Sequence, residues 1–164
     1  MYETLRYIWP VIFSQEPRAE LHVYYGMENI KDEKYKNELK ILLSQPGVMD
    51  HGRQNADLVI REKYMSSFHL YLSFSPQEID CISIKESLLT GAIPILSDFG
   101  VFKEREGIHI EYNPENSNTM KNVGLLVSRF FNETPQLDDM RKKFVYSPTL
   151  FTWERIALDW LICW

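Results

Sequence analysis

The sequence is poor in cysteine, with only Cys81 and Cys163 among 164 residues. Two thiols cannot make a disulfide framework, and their scarcity favours a reducing compartment, so the expected location is cytoplasmic. Glycine is scarce too, and none of the seven falls in a Gly-x-Gly-x-x-Gly or Walker pattern. Dinucleotide and P-loop readings therefore have no support. Positive charge is in deficit: 18 Lys and Arg stand against 23 Asp and Glu, a net charge of −5. That balance argues against a broad grip on nucleic acid and leaves open only a local basic pocket. No apolar run approaches the ~20 residues that span a bilayer. Met1–Trp9 also lacks the apolar segment of a secretory signal. The four histidines, His22, His51, His69 and His109, lie at no metal-ligand spacing, and no Asp-x-Asp motif occurs, so no metal is expected.

What remains is ordinary globular material. Hydrophobic residues make up 45% and charged residues 25%, which excludes disorder, collagen and coiled coil. A chain of this length makes one domain that buries roughly 70% of its unfolded surface.

Periodicity supplies the elements. Leu5, Ile8, Trp9, Ile12 and Phe13 predict an amphipathic helix over 2–15, with a bend at Pro10. Leu21–Tyr25 reads as a strand, Tyr35, Leu39, Leu42 and Leu43 mark a helix, and Val48–His51 is a second strand. Ala56, Val59, Ile60 and Tyr64 suggest a further helix, and Phe68–Phe74 a third strand. A helix from about Ile79 to Thr90 closes at Gly91. Strands at Ile93–Leu96 and Ile108–Ile110 precede helices at Val123–Phe131 and Trp153–Leu161. Strands alternating with helices call for a parallel sheet covered on both faces, a doubly wound Rossmann-like domain. In such a domain a strand should precede the helix at 2–15. Either the sheet lacks its first strand, or the chain is a piece of something longer.

Ligands of open parallel sheets bind at the carboxyl ends of the strands. Three loops qualify: His51–Asn55, Ser75–Cys81 and Ser97–Val101. In the second, Glu78 stands at the mouth of a helix and Glu86 eight residues later, about two turns in. Backbone N–H groups of Ile79, Asp80, Cys81 and Ile82 at that helix start suit a phosphate or a polar sugar. A carboxylate further along suits the hydroxyls of a ribose. Two glutamates at this spacing are also ordinary in an acidic chain, and a first-turn glutamate has a purely structural use.

Context sharpens the reading. Glu78-Ile-Asp-Cys-Ile-Ser-Ile-Lys-Glu86, followed by Ser-Leu-Leu-Thr-Gly91-Ala-Ile-Pro94-Ile-Leu-Ser-Asp98, resembles the E-x7-E region of retaining glycosyltransferases of the GT-B fold. The similar branch is family 4, or group 1, and the similar part is the C-terminal, donor-binding domain. Leu21–Gly26, His51-Gly52-Arg53 and Trp153-Glu154-Arg155 match further segments in order, so the resemblance runs from about Trp9 to Trp164. It implies that Glu86 binds the nucleotide ribose and that Glu78, the catalytic position, faces hydroxyls of the donor sugar. Ile79, Asp80 and Cys81 would contact sugar and phosphate, although a Gly-rich stretch is more usual there. Arg53, Gln54 and Asn55, beside His51 and Gly52, stand where the base is held. The implied ligand is a nucleotide-diphosphate sugar, GDP-mannose or a UDP-sugar, handled without metal or other cofactor.

Two departures matter. The basic clamp on the diphosphate is absent, since no Lys occurs in the first 30 residues, and each charge-assisted bond it would make is worth about 1.5–3 kcal/mol. The N-terminal domain that holds the acceptor is not in this chain either. The implied partners are therefore that missing domain or another chain, with peripheral membrane association through the whole enzyme and no nucleic acid. Residues 1–164 read as one donor-binding domain of a hexosyltransferase, inactive or incomplete alone. The alternative is a non-catalytic nucleotide-sugar-binding or interaction module derived from such an enzyme.

Other residues read as structural. His22, His69 and His109 fall in strands as core histidines, whereas His51 at a strand end is a candidate to line the pocket. Cys81 has no nearby His and reads as a small helix residue. Trp153, Trp160 and Trp164 are either core or a face for a partner domain. Asp138, Asp139, Arg141, Lys142 and Lys143 form a solvated helix face, and Asn132-Glu133-Thr134 is a sequon without a secretory context.

Overall fold

The computed structural model describes residues 1–28, 30–54, 70–74, 82–132 and 134–145. The first helix begins as a π-helical segment, Thr4–Ile8, and continues as α1, Trp9–Gln15. Trp9 N–H donates to the Thr4 carbonyl, five residues back, directly ahead of Pro10. A proline ring inside a helix removes one N–H and collides with the carbonyl four residues before it, so a wider turn relieves the clash. Leu5, Ile8, Trp9 and Ile12 are buried, the face that the periodicity predicts.

Strand β1 (Leu21–Val23) leads to α2 (Glu33–Leu43) and β2 (Val48–Asp50). Asp32 caps α2 by accepting from the N–H groups of Lys34 at 2.9 Å and Tyr35 at 3.1 Å. Then come β3 (Leu70–Ser73), α3 (Ile82–Leu89), β4 (Ile93–Ser97), a 3-10 turn (Gly100–Glu104), β5 (Ile108–Ile110), α4 (Ser117–Phe130) and α5 (Thr134–Val145). Gly91 closes α3 at φ 89°. Ala92 N–H reaches the Ser87 carbonyl and Gly91 N–H the Leu88 carbonyl, the paired bonds of a Schellman end. The helix predicted near Ala56–Tyr64 and the one near Trp153–Leu161 lie outside the described residues, as does the sequon residue Glu133.

All described strand pairs are parallel. β1 pairs with β2 in the register Leu21↔Val48, and β3, β4 and β5 form a second sheet with Leu70↔Ile93 and Ile95↔Ile108. The described strands thus form two parallel sheets of two and three strands, in keeping with the Rossmann-like class expected from the sequence. Among the described residues no strand bridges β1 and β3.

Both sheets share one core. Ile8, Trp9 and Ile12 pack with Leu21 and Val48 of the first sheet and with Leu70, Leu72, Ile95 and Ile108 of the second, and α4 closes this side through Met120, Val123 and Val127. Gly124 lets α4 approach closely, since a Cβ there would stand 2.8 Å from the Ile8 carbonyl oxygen. On the other side, α3, the 3-10 turn and α5 bury Ile84, Leu88, Phe102, Leu137 and Phe144 against Ile93 and Leu96. A third cluster joins Leu5 to Val23 and to Leu39 and Leu43 of α2. Among the described residues no helix is long and apolar enough to cross a membrane.

Candidate functional site

The first expected loop is a tight turn at the end of β2. The Asp50 carboxylate accepts from Gly52 N–H at 2.9 Å, and Gly52 turns the chain at φ 61°. Backbone bonds tie this turn to β1: His51 N–H to the Val23 carbonyl at 2.9 Å and Tyr25 N–H to the Gly52 carbonyl at 3.0 Å. Gln54 donates its amide to the His51 carbonyl at 2.7 Å, so it braces the turn from the surface. Arg53 is exposed, and its stem lies over Gly26. The predicted base-holding residues His51, Gly52, Arg53 and Gln54 therefore share one turn, while Asn55 lies outside the described residues.

His51 does more than line a surface. Its ring is half-buried and stacks on Tyr24 with centroids 4.6 Å apart at 9°. His51 Nε2 lies 2.9 Å from His22 Nδ1, and His22 Nε2 lies 3.2 Å from a Glu20 carboxylate oxygen. With Glu20 ionised and His22 neutral, His22 Nε2 donates to the carboxylate, which leaves His22 Nδ1 as acceptor and His51 Nε2–H as donor. Burial, and then the adjacent His22, hold the His51 pKa below the usual histidine range, against a smaller opposing pull from Asp50. His22 thus behaves as the sequence predicts, with both ring nitrogens engaged. His109 does not: it is exposed on β5, and its Nε2 lies 2.9 Å from the Arg105 carbonyl. Side chains alternate across a strand, and position 109 faces solvent between Ile108 and Ile110.

The second expected loop, Ser75–Cys81, lies outside the described residues, and with it Glu78, Ile79, Asp80 and Cys81; the description resumes at Ile82. Ile82 opens α3 and is 63% exposed, and Leu89 near the helix end is 64% exposed. Glu86 sits between them, four residues after Ile82 and three before Leu89, about one turn from each, and is half-buried. No hydrogen bond or ion pair reaches its carboxylate from any described residue. The inner face of the same helix carries Ile84, Ser87 and Leu88, all buried. Glu86 is therefore held at the border between core and solvent, and its acceptor oxygens remain available.

Three further residues lie at the same carboxyl edge: Ser97, which opens the third expected loop, and Phe74 and Tyr112, which the sequence does not single out. Ser97, the last residue of β4, is buried, and its hydroxyl has no hydrogen-bond partner among the described residues. Phe74, after β3, stacks on Tyr112, after β5, at 5.1 Å and 16°. Burial, with the Glu3 charge adding to it, pushes the Tyr112 phenol up to about 12. Their meeting depends on strand pairing, which no local pattern in the sequence reveals; only the polar end of the apolar run Ile93–Leu96 hints at Ser97. In the third loop Asp98 pairs with Lys103 at 3.6 Å, and Phe99 is 58% exposed.

At the opposite edge, Leu88, Gly91, Ala92, Ile93, Arg141 and Phe144 line a depression too shallow to hold a water molecule. Arg141 lies there because its Nε donates to the Gly91 carbonyl at 3.0 Å, so it is only partly a solvated residue. Among the described residues no group of His, Cys, Asp and Glu is arranged to hold a metal ion.

No protein-family model matches the sequence. No curated protein matches it either. The crystal structure of a GtfA/B complex is similar to it in three dimensions, with a TM-score of 0.71, 15% sequence identity and 98% of this chain covered. This chain spans 31% of the length of that one. The architecture of parallel sheets clad in helices is thus a Rossmann-like, glycosyltransferase-like fold.

Proposed function

We propose that the chain is the donor-binding part of a retaining glycosyltransferase of the GT-B, family 4 type. One observation carries this reading. On a glycosyltransferase-like fold, Glu86 is half-buried, without a described partner, in the helix that follows β3. A carboxylate so placed can accept two vicinal hydroxyls, as a ribose presents them. In this reading Glu86 takes the ribose, the Ile79–Ile82 amides take phosphate and sugar, and the turn His51–Asn55 borders the base. Glu78 faces the donor sugar. The bond from the anomeric carbon to the diphosphate breaks, the acceptor hydroxyl oxygen bonds to that carbon on the same face, and its proton passes to the leaving diphosphate. Charge stabilisation of the leaving diphosphate lowers the barrier. The donor is GDP-mannose or a UDP-sugar and needs no metal. Residues 1–164 act as one donor domain in the cytoplasm, and the acceptor is held by a further domain or a partner chain.

Calorimetric titration with GDP, UDP, GDP-mannose and UDP-glucose tests this. The expected result is binding of one nucleotide series that falls at least tenfold in Glu86→Gln, at unchanged circular dichroism; a lost charged hydrogen bond of about 1.5–3 kcal/mol sets that scale. No binding at millimolar ligand, or equal binding by the variant, refutes it. A second reading, a non-catalytic module derived from such an enzyme, is favoured by one finding: β1 and β3 belong to separate sheets. Tight binding of nucleotide sugar without transfer to any acceptor would select that reading.

A further inference from the structure

Among the described helices, only α3 exposes two large apolar side chains on one stripe. Ile82 is 63% and Leu89 64% exposed, and their separation of about two turns sets one above the other. Lys85 and Glu86 fill the same stripe between them. The opposite face of the helix is complete, with Ile84 and Leu88 buried against Ile93, Leu96 and Phe102. Ile41 of α2 and Leu125 of α4 are exposed as well. Each stands alone, flanked about one turn away by Glu38 and Gln45 in α2 and by Lys121 and Arg129 in α4. Single exposed apolar residues are ordinary surface. The stripe of α3 differs, since it brackets a carboxylate that has no described partner with two apolar side chains.

This stripe complements itself about a two-fold axis. With two α3 helices laid antiparallel, Ile82 of each copy meets Leu89 of the other, and Lys85 of each meets Glu86 of the other. Both pairings hold at once because both are centred on the point between positions 85 and 86. A two-fold interface makes every contact twice, so the pairing buries four apolar side chains and joins two opposite-charge pairs. A parallel arrangement would instead set Glu86 against Glu86 and Lys85 against Lys85. Lys85 is already engaged within its own chain, and an ammonium group has three donors with which to reach a second acceptor.

We propose that the outer face of α3 is a self-association surface, on which a second copy of this chain docks antiparallel with Ile82 on Leu89 and Lys85 on Glu86. A helix of eight residues is only about 12 Å long. It covers far less than the about 800 Å² per partner of a stable complex. The dimer is therefore weak and reversible, with a Kd of about 0.1–1 mM. Docking depends on the exposed stripe and not on ribose binding. Glu86 serves a second copy or a ribose, one at a time, so association is measured without nucleotide, and failure of either reading leaves the other standing.

The test is sedimentation equilibrium of the intact chain from about 20 μM to about 1 mM, at about 0.15 M salt so that the net charge of each copy is screened. The average mass should rise with concentration from 19.5 kDa toward twice that value. Lys85→Glu and Glu86→Lys each set like charges in contact, and each alone should weaken association by about tenfold or more. An equimolar mixture of the two variants should associate at least as well as the unmodified chain, because one copy then offers two carboxylates to two ammonium groups. A variant that merely unfolds cannot produce that recovery. Leu89→Gln, which leaves every charge in place, should weaken association as well. A mass that stays at 19.5 kDa up to about 1 mM overturns the proposal. So does a mixture that associates no better than its components. Association that all the variants share also overturns it and assigns the contact to another face.

Discussion

Replacing Gly124 by alanine sets two effects against each other. Alanine is favoured over glycine inside a helix by about 0.8–1.0 kcal/mol, so at an exposed position the change would stabilise. Gly124 is buried in α4, and the added Cβ would stand 2.8 Å from the Ile8 carbonyl oxygen and 2.8 Å from Val11 Cβ. Carbon contacts are comfortable at about 3.5–4.0 Å, so α4 or the first helix must shift by several tenths of an ångström. Overpacking of this kind costs about 1–3 kcal/mol. The overlap wins because one of the two atoms is backbone and cannot rotate away. Net destabilisation is about 1 kcal/mol, and Gly124→Val, with two more carbons, loses about 2 kcal/mol or more. Urea unfolding followed by circular dichroism should show the alanine midpoint lower by about 0.5 M at an unchanged slope of about 2 kcal/mol per M. A midpoint raised by the helix-propensity amount would refute the reasoning, and with it the close contact between α4 and the first helix that covers both sheets.

Gly91→Ala isolates the conformational cost of a left-handed residue, because φ is 89° and nothing lies within 4 Å of the added Cβ. It should destabilise by about 1–2 kcal/mol in the same urea assay, and Gly91→Asn should recover part of that. His51 has its folded pKa below the unfolded value of 6.5, so its contribution is complete above pH 6.5 and is lost as pH falls through that value. His51→Gln should flatten the fall in stability between pH 7 and the onset of carboxylate protonation, with His22, Glu20 and Asp50 left in place. Tyr112 has the opposite sign: its phenol is raised from 10 to about 12, so its contribution holds below pH 10 and is lost through pH 12. Tyr112→Phe should remove that part of the alkaline loss in a pH series of thermal unfolding.

Elements with one buried face were legible. The five strands fall where alternation and β-branched residues place them, and Gly91 closes α3 as its position after Thr90 suggests. The π-helical turn before Pro10 was legible only as a bend, because proline announces a broken bond without saying which wider turn absorbs it. The division of the described strands into two sheets was not legible, because it rests on which strands pair, and no local pattern sets β1 beside β2 or β3 beside β4. His51 shows the limit most clearly. A histidine at a strand end reads as a pocket residue, yet its stack on Tyr24 and its bond to His22 arise from the parallel register of β1 and β2, 29 residues apart in sequence.

The same distinction governs what the structural likeness can transmit. At 15% identity what the two chains share is a fold, and cores tolerate wholesale exchange of apolar residues when volume and periodicity are kept. Ile8, Ile12, Ile95 and Val127 are buried in the core that both sheets share. Activity depends on a few polar atoms that packing does not require. Glu86 is such a residue: the buried face of α3 is complete in Ile84, Ser87 and Leu88, and a half-buried carboxylate beside it adds desolvation without a described partner to offset it. If Glu86 has no ligand, replacing it by glutamine should leave the fold as stable or more stable. If it holds a ribose, the free chain should behave in the same way, but the change should abolish the rise in melting temperature that nucleotide produces. The two outcomes are read in one thermal-shift series, which makes Glu86 the residue on which the fold's likeness becomes a function or remains only a fold.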